Sequence, residues 1–402
     1  MGESQAPRVL EDVLVIDLSE QVAGPYCTRL LAGLGAEVIK VERPGVGDVA
    51  RRAEPLTPVE SLECGALFQH LNASKKSLTL DLESPKGRDY LGRLTQQAQI
   101  VVESFAPGYL DVLGIGYSSL AQGNPGLVMT SISSFGQDGP YRDYAATDLT
   151  CVAAGGMLYL CGDPQREPLK IGGLQAEYLG GLNGAIATLA ALWDAETSGK
   201  GQWIDVSIME SVVSALEGTT VAYSSGGEIR RRQGNRHGQA CPTTILPCKD
   251  GYVGITFASD EDWNLFASMS NQKELLAPRH ARGEDRLRFA NEIEEILRMH
   301  FMERTREEVF HWAQELRLPF SMVLTPEELL NDPQHRARDF FTAVDHPVLG
   351  EVLQVGAPFV MGETPWRVGR APLLGEHTEE VLRERLSLDE GEMWALRREG
   401  II

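Results

Sequence analysis

Short apolar runs alternate with helical stretches through the first half of this chain. Residues 13–18 (V-L-V-I-D-L) form a continuous apolar run, the pattern of a strand buried on both faces. After the loop at 20–25, Pro25 is placed for a first helical turn. The helix it opens, 26–34, is predicted to end at Gly35 as a C-terminal cap. A second strand follows at 37–42 (E-V-I-K-V-E). Such a β-α-β unit implies parallel strands joined by a right-handed crossover. Further strands are predicted at 77–80, 100–103 and 127–133, with a helix begun by Ser84-Pro85 between the first two. The alternation indicates a doubly wound α/β domain with a parallel sheet.

The helical stretch at 178–196 differs from the rest. It is nearly all small or apolar and contains Gly180, Gly181 and Gly184. A helix apolar on most sides is expected to be buried. Each glycine costs roughly 1 kcal/mol of helix propensity against alanine, so another backbone is expected close by. One carboxylate, Glu177, stands at its mouth. The T-S-G-K-G-Q turn then ends the helix, and W-I-D-V-S returns as a strand. After residue 223 the texture changes. A basic, glycine-rich linker at 226–238 carries Arg230, Arg231 and Arg232. A strand-turn-strand at 247–256 and a charged helical region at 261–330 follow. The linker marks a domain boundary near residue 226, with a smaller, helix-rich domain after it.

Composition narrows the chemistry. With 37 Lys+Arg against 57 Asp+Glu, the formal net charge is −20. That disfavours nucleic acid, whose phosphates need a basic surface. No apolar run approaches a membrane span, and the first residues lack a signal-peptide pattern. A cytoplasmic protein with no membrane partner is expected. The six cysteines are scattered without C-x-x-C spacing, and the eight histidines form no ligand pair, so no metal site is expected. G-x-G-x-x-G, G-x-S-x-G and P-loop motifs are absent. Arg43 follows the second strand, where parallel sheets gather ligands, and is placed to meet an anion; a solvated or salt-bridged arginine is the alternative from position alone. Glu177, before a helix start, is a candidate nucleophile; a helix-end charge with no catalytic part is the alternative from spacing alone.

Five segments resemble the class III CoA-transferases, the family of formyl-CoA transferase, carnitine CoA-transferase and α-methylacyl-CoA racemase. They are V-A-G-P-Y-C-T-R-L-L-A-G-L-G-A-E-V-I-K-V-E-R-P-G, L-N-A-S-K-K-S-L-T-L-D-L, F-G-Q-D-G-P-Y, L-A-A-L-W-D-A-E-T-S-G-K-G-Q-W-I-D-V-S-I-M-E-S and A-P-L-L-G-E-H-T-E-E-V-L. The resemblance implies an interlocked homodimer, each chain with a Rossmann-like large domain built from both its ends, 1–225 and 331–402, and a smaller α+β domain inserted with its linker at 226–330. It implies a coenzyme A thioester as substrate, with no permanently bound cofactor, and a carboxylic acid as second substrate. Val22, Ala23, Arg43, Asn72, Lys75 and Phe105 fall at the family's CoA-binding positions. Val112 stands where some relatives carry a basic residue, a contact that Lys76 is placed to replace.

In the family's transferases an aspartate in D-Y-x-x-G attacks the acyl-CoA. Here the pattern is E-Y-L-G, with Glu177 in that place. The extra methylene moves the carboxylate by roughly an ångström, a displacement that costs on the order of a hundredfold unless the cleft has shifted with it. Thr147 stands where the racemases have their histidine. The resemblance therefore implies CoA transfer through Glu177. Two alternatives are acyl-CoA racemisation or isomerisation with Glu177 as base, and a non-catalytic CoA-binding subunit, paired with a related chain.

Overall fold

A computed structural model describes residues 7–57, 61–236 and 241–402. The N-terminal segment and the end of the basic linker, His237 and Gly238, lie outside the described residues. The chain forms two compact units, one of residues 1–157, 171–220 and 333–402, the other of residues 158–170 and 221–332.

The larger unit is built on strands β1 (Leu14–Asp17), β2 (Glu37–Glu42), β3 (Lys76–Thr79), β4 (Ile100–Glu103), β5 (Val128–Ser133) and β6 (Trp203–Ser207). They form one six-stranded sheet in the order β3-β2-β1-β4-β5-β6, with every pair parallel. The chain winds one way through β1, β2 and β3, then returns to β4 beside β1. A crevice opens where the winding reverses, outside the carboxyl ends of β1 and β4. Helix α1 (Ala23–Gly33) starts at that crevice, and α2 (Pro85–Thr95) covers the sheet between β3 and β4. Ile16, Ile39, Leu78 and Val101 fill one core with Leu91 and Leu94 of α2.

Three helices frame the other half of the sheet: α3 (Asp148–Ala154), α4 (Gln175–Ser198) and α5 (Ile208–Ser214). Ile132 of β5 lies against Gly184 of α4, and the Thr130 and Thr188 hydroxyls bond at 2.6 Å. Helix α4 therefore runs antiparallel to β5, and its N-terminus reaches the carboxyl edge of the sheet. The expected close backbone is found at Gly181, whereas side chains press on Gly180 and Gly184. A Cβ on Gly181 would come 2.4 Å from the Ala23 carbonyl oxygen, while one on Gly180 or Gly184 would meet Ile208 or Ile132 at 2.8 Å. The expected all-round burial does not hold. Gly180, Gly181, Gly184, Ala185 and Ala191 are buried, but Leu182, Ile186 and Trp193 are exposed, the last at 76%.

The chain's end closes the same sheet. The N–H of His377 donates to the Ser77 carbonyl at 2.9 Å, and the N–H of Thr79 to the Thr378 hydroxyl at 3.0 Å. Helices α6 (Thr378–Leu386) and α7 (Glu390–Arg398) add Val381, Leu382, Met393 and Leu396 to the core.

The smaller unit holds an antiparallel sheet of Thr243–Cys248, Gly251–Thr256 and Ser321–Met322. Its aromatic core contains Phe257, Trp263, Phe266, Phe301 and Phe320. Within that unit the arginine run binds the 158–170 segment: Arg231 donates to the Tyr159 hydroxyl at 3.3 Å, and Arg232 to the carbonyls of Asp163 and Tyr159, each at 3.3 Å.

Candidate active site

The crevice contains a cleft of about 660 Å³. Its walls are the loop after β1 (Glu20–Ala23), the loop after β4 (Ser104–Pro107), the end of β5 and the start of α4. A second cavity of about 400 Å³ adjoins it and shares Glu20, Phe105 and Ala106; its walls also include Arg43, Val41, Leu80, Tyr109 and the acids Glu42, Asp81 and Glu83. Val22, Ala23, Phe105 and Glu177 are thus brought together in the larger cleft, and Arg43 lines the smaller one. Arg43 is half exposed and pairs with Glu83 at 2.8 Å.

Glu177 lies in the first turn of α4. Its carboxylate accepts the N–H of Ala23. The two helices meet closely enough for that bond because residue 181 has no side chain. Burial, and secondarily the charge of Asp148, pushes the Glu177 carboxyl up to about 6, while the Ala23 amide partly offsets the rise. The free amides of a helix start can stabilise a carboxylate beside them. The structure gives those amides to another acid instead: Asp148 accepts the N–H of Ala176 at 2.8 Å and that of Glu177 at 3.4 Å. Asp148 is buried, at 7% exposure.

Asn72 and Lys75 are not in the cleft. Both are buried, and the Lys75 ammonium donates to Asp17 at 2.9 Å, to the Pro25 carbonyl at 2.9 Å and to the Asn72 side chain at 2.8 Å. All three donors are used, so none is left for a phosphate. Asp17 also accepts the Thr28 hydroxyl at 2.7 Å. Lys40 pairs with Asp48 at 2.9 Å and donates to the Ser19 carbonyl at 2.7 Å, and Asp48 accepts the Gln21 N–H at 3.1 Å. This buried network fixes both ends of the loop that carries Val22 and Ala23. Lys76 is engaged with Glu37 at 2.9 Å and Glu380 at 2.7 Å, and Val112 is exposed.

Three further residues bear on the cleft without having stood out in the sequence. Glu103, at the end of β4, accepts the Phe105 N–H at 2.7 Å and so sets the loop between the two cavities; burial pushes its carboxyl up to about 7. Among the described residues Arg142 is the one cation lining the larger cleft. It pairs with exposed Asp143 at 3.3 Å, and its Nη2 would lie 3.0 Å from a Cβ on Gly108, a residue at φ +81. Asp148 is the third. Its signal was the A-T-D-L-T helix start, where Thr147 and Thr150 form a reciprocal cap. Among the described residues no cluster of His, Cys, Asp and Glu could hold a metal. No described helix is long and apolar enough to cross a membrane.

Comparison with known proteins adds chemistry to this geometry. Residues 10–378 match the model of CoA-transferase family III. A succinyl-CoA–D-citramalate CoA-transferase of Chloroflexus aurantiacus is 34% identical over 100% of both chains. A succinyl-CoA:mesaconate CoA-transferase of Haloarcula hispanica is 35% identical over 93% of this chain and 96% of its own. The solved structure of a CAIB/BAIF family protein from Brucella suis matches with a TM-score of 0.86 and 30% identity, covering 95% of this chain and 100% of that one.

Proposed function

The chain belongs to CoA-transferase family III and is a CoA-transferase; from that premise, we propose that it moves CoA between two carboxylic acids through a covalent intermediate on Glu177. The observation that carries this reading is the setting of Glu177. It faces the crevice, has a single backbone amide on its carboxylate, and is ionised at neutral pH while poorly solvated. A desolvated, unpaired carboxylate is a stronger nucleophile than one in water.

The exchange balances in four displacements. The Glu177 carboxylate attacks the thioester carbonyl, the C–S bond breaks, and an acyl-glutamyl anhydride forms as CoA thiolate leaves. The thiolate attacks the glutamyl carbonyl and releases the donor acid, leaving a glutamyl-CoA thioester. The acceptor carboxylate attacks that thioester to give a second anhydride and free thiolate. The thiolate then attacks the acceptor's carbonyl, yielding the new acyl-CoA and the original carboxylate.

The smaller cavity takes the nucleotide end of CoA, with Arg43 for phosphate and Phe105 and Tyr109 as apolar walls. Val22 and Ala23 flank the thioester. Asn72 and Lys75 serve indirectly, by bracing the start of α1. Two relatives are named for succinyl-CoA, whose acyl group carries a second carboxylate; Arg142, a cation lining the cleft, supports such a substrate here. The exposed apolar side of α4, with Leu182, Ile186 and Trp193, supports a homodimer.

Exchange of labelled donor acid into acyl-CoA with no acceptor present tests the reading. The wild type is expected to exchange and Glu177→Ala is expected not to. Exchange that survives in Glu177→Ala rejects Glu177 as the carrier. Exchange of the α-proton into deuterated water in its place would favour the racemase or isomerase chemistry.

A further inference from the structure

Helix α4 does not cap itself. Leu174, at its N-cap position, makes no side-chain hydrogen bond to the first turn. Uncapped amides at that point would be open in the cleft. The acceptor comes from a different helix: Asp148 of α3 takes the N–H of Ala176 at 2.8 Å and of Glu177 at 3.4 Å. Asp148 is held in turn by its position. It is the first residue of α3, and the reciprocal Thr147–Thr150 cap fixes that helix start. Among the described residues no salt bridge neutralises it. One buried carboxylate thus ties the beginnings of two helices together, and one of the two amides it holds belongs to Glu177.

We propose that Asp148 is a positioning residue for CoA transfer: it anchors the Glu177 backbone against α3, so that the side chain is aimed at the Ala23 amide and the cleft. The inference rests on the reading of Glu177 as nucleophile. It also assigns a second consequence to the same geometry. With the first-turn amides of α4 occupied by Asp148, the Glu177 carboxylate is left with the Ala23 amide alone, and a second negative charge stands behind it. The groups facing Glu177 are Asp148 and Cys151 from α3 and the Ala23 amide from α1; Glu20, Arg142 and Asp143 line the same cleft.

Two variants separate the anchor from the charge. Asp148→Asn keeps an oxygen for the two amides and loses the charge; Asp148→Ala loses both. In the half-reaction exchange, Asp148→Ala is expected to lower kcat by about ten- to a hundredfold, with KM for acyl-CoA changed by less than about threefold, because a nucleophile displaced by a fraction of an ångström binds substrate normally but attacks poorly. Asp148→Asn is expected to restore kcat to within about threefold of wild type and to move the acid limb of kcat/KM to lower pH, since a like charge beside Glu177 is gone. A fold-maintaining role alone would not move that limb. An Asp148→Asn enzyme with the wild-type acid limb, or an Asp148→Ala enzyme with wild-type kcat, overturns the proposal. If Asp148→Ala does not fold, the Asp148→Asn pH profile decides by itself. Trapping of Glu177 by hydroxylamine in the wild type keeps the two readings apart: Glu177 labelled with unaltered Asp148 variants refutes the anchor only, and Glu177 unlabelled refutes the nucleophile.

Discussion

Two groups of buried charge stand at the carboxyl edge of one sheet and are built in opposite ways. Behind β1 to β3, Asp17, Lys40, Asp48 and Lys75 are paired at 2.9 Å, the lysines also donating to backbone carbonyls and the aspartates also accepting from Thr28 and Gln21; Glu42 and Arg51 are paired beside them at 2.7 Å. In the cleft, Glu177 and Asp148 have backbone amides as partners and, among the described residues, no ion pair. Burial raises a lone carboxyl, and a close cation lowers it. So burial of Asp17 is outweighed by Lys75 and Lys40, which hold it below the usual carboxylate range, whereas burial carries Glu177 up to about 6. Where this protein neutralises its buried charge it gains a rigid frame for the Val22-Ala23 loop. Where it leaves the charge unpaired it keeps a reactive group.

The largest effect expected from this contrast is on activity. Glu177→Ala should lower CoA transfer at least about 10³-fold, roughly 4 kcal/mol of barrier, with the cooperative unfolding transition intact. Steady-state kinetics and thermal unfolding on the same preparation check it. The paired region should respond the other way. Lys75→Met removes the cation paired with buried Asp17 and should cost about 3–5 kcal/mol of stability, read as a lower urea midpoint. A Lys75→Met chain of normal stability would erase the distinction between the two regions.

A smaller effect sharpens it. Folding raises the Glu177 carboxyl from 4.5 to about 6, so the native state binds more protons than the unfolded state between those values. Stability therefore falls as pH rises through that window, and the loss persists above it. Glu177→Gln should remove the loss and be more stable than wild type at pH 8 by up to about 2 kcal/mol, while being inactive. The same titration predicts that kcat/KM of the wild type rises through about pH 6 and is level above. Equal stability of wild type and Glu177→Gln at pH 8 would place Glu177 among the compensated charges. The smallest expected effect is at the exposed edge. Arg43→Ala should raise KM for acyl-CoA about three- to tenfold, less at high salt, with kcat unchanged.

The sheet and the crevice were legible because each is written in local pattern, whereas Glu177 stood out by its place before an apolar helix and took its role from the family resemblance. Apolar runs mark β1, β2, β4 and β5, and the loops after β1 and β4 must meet wherever a parallel sheet reverses its winding. The fate of Lys75 was not legible. Two lysines after a polar turn look like phosphate ligands until the fold brings Asp17, 58 residues away, beneath one of them. Asp148 was hidden for the same reason: its contact with Ala176 spans 28 residues, so its own motif announces a helix start and nothing more. Nor did composition tell which side of α4 would be covered. Glycines and alanines go inward because backbones and large side chains press on them, and this leaves Leu182, Ile186 and Trp193 outside.

Hydroxylamine trapping tests the central claim most directly. Enzyme incubated with acyl-CoA and hydroxylamine is digested and searched by mass spectrometry for carboxyl hydroxamates. The account predicts a hydroxamate on Glu177, dependent on acyl-CoA and absent without it. A hydroxamate on another carboxylate such as Asp148 or Glu103, or turnover with none on Glu177, would contradict it.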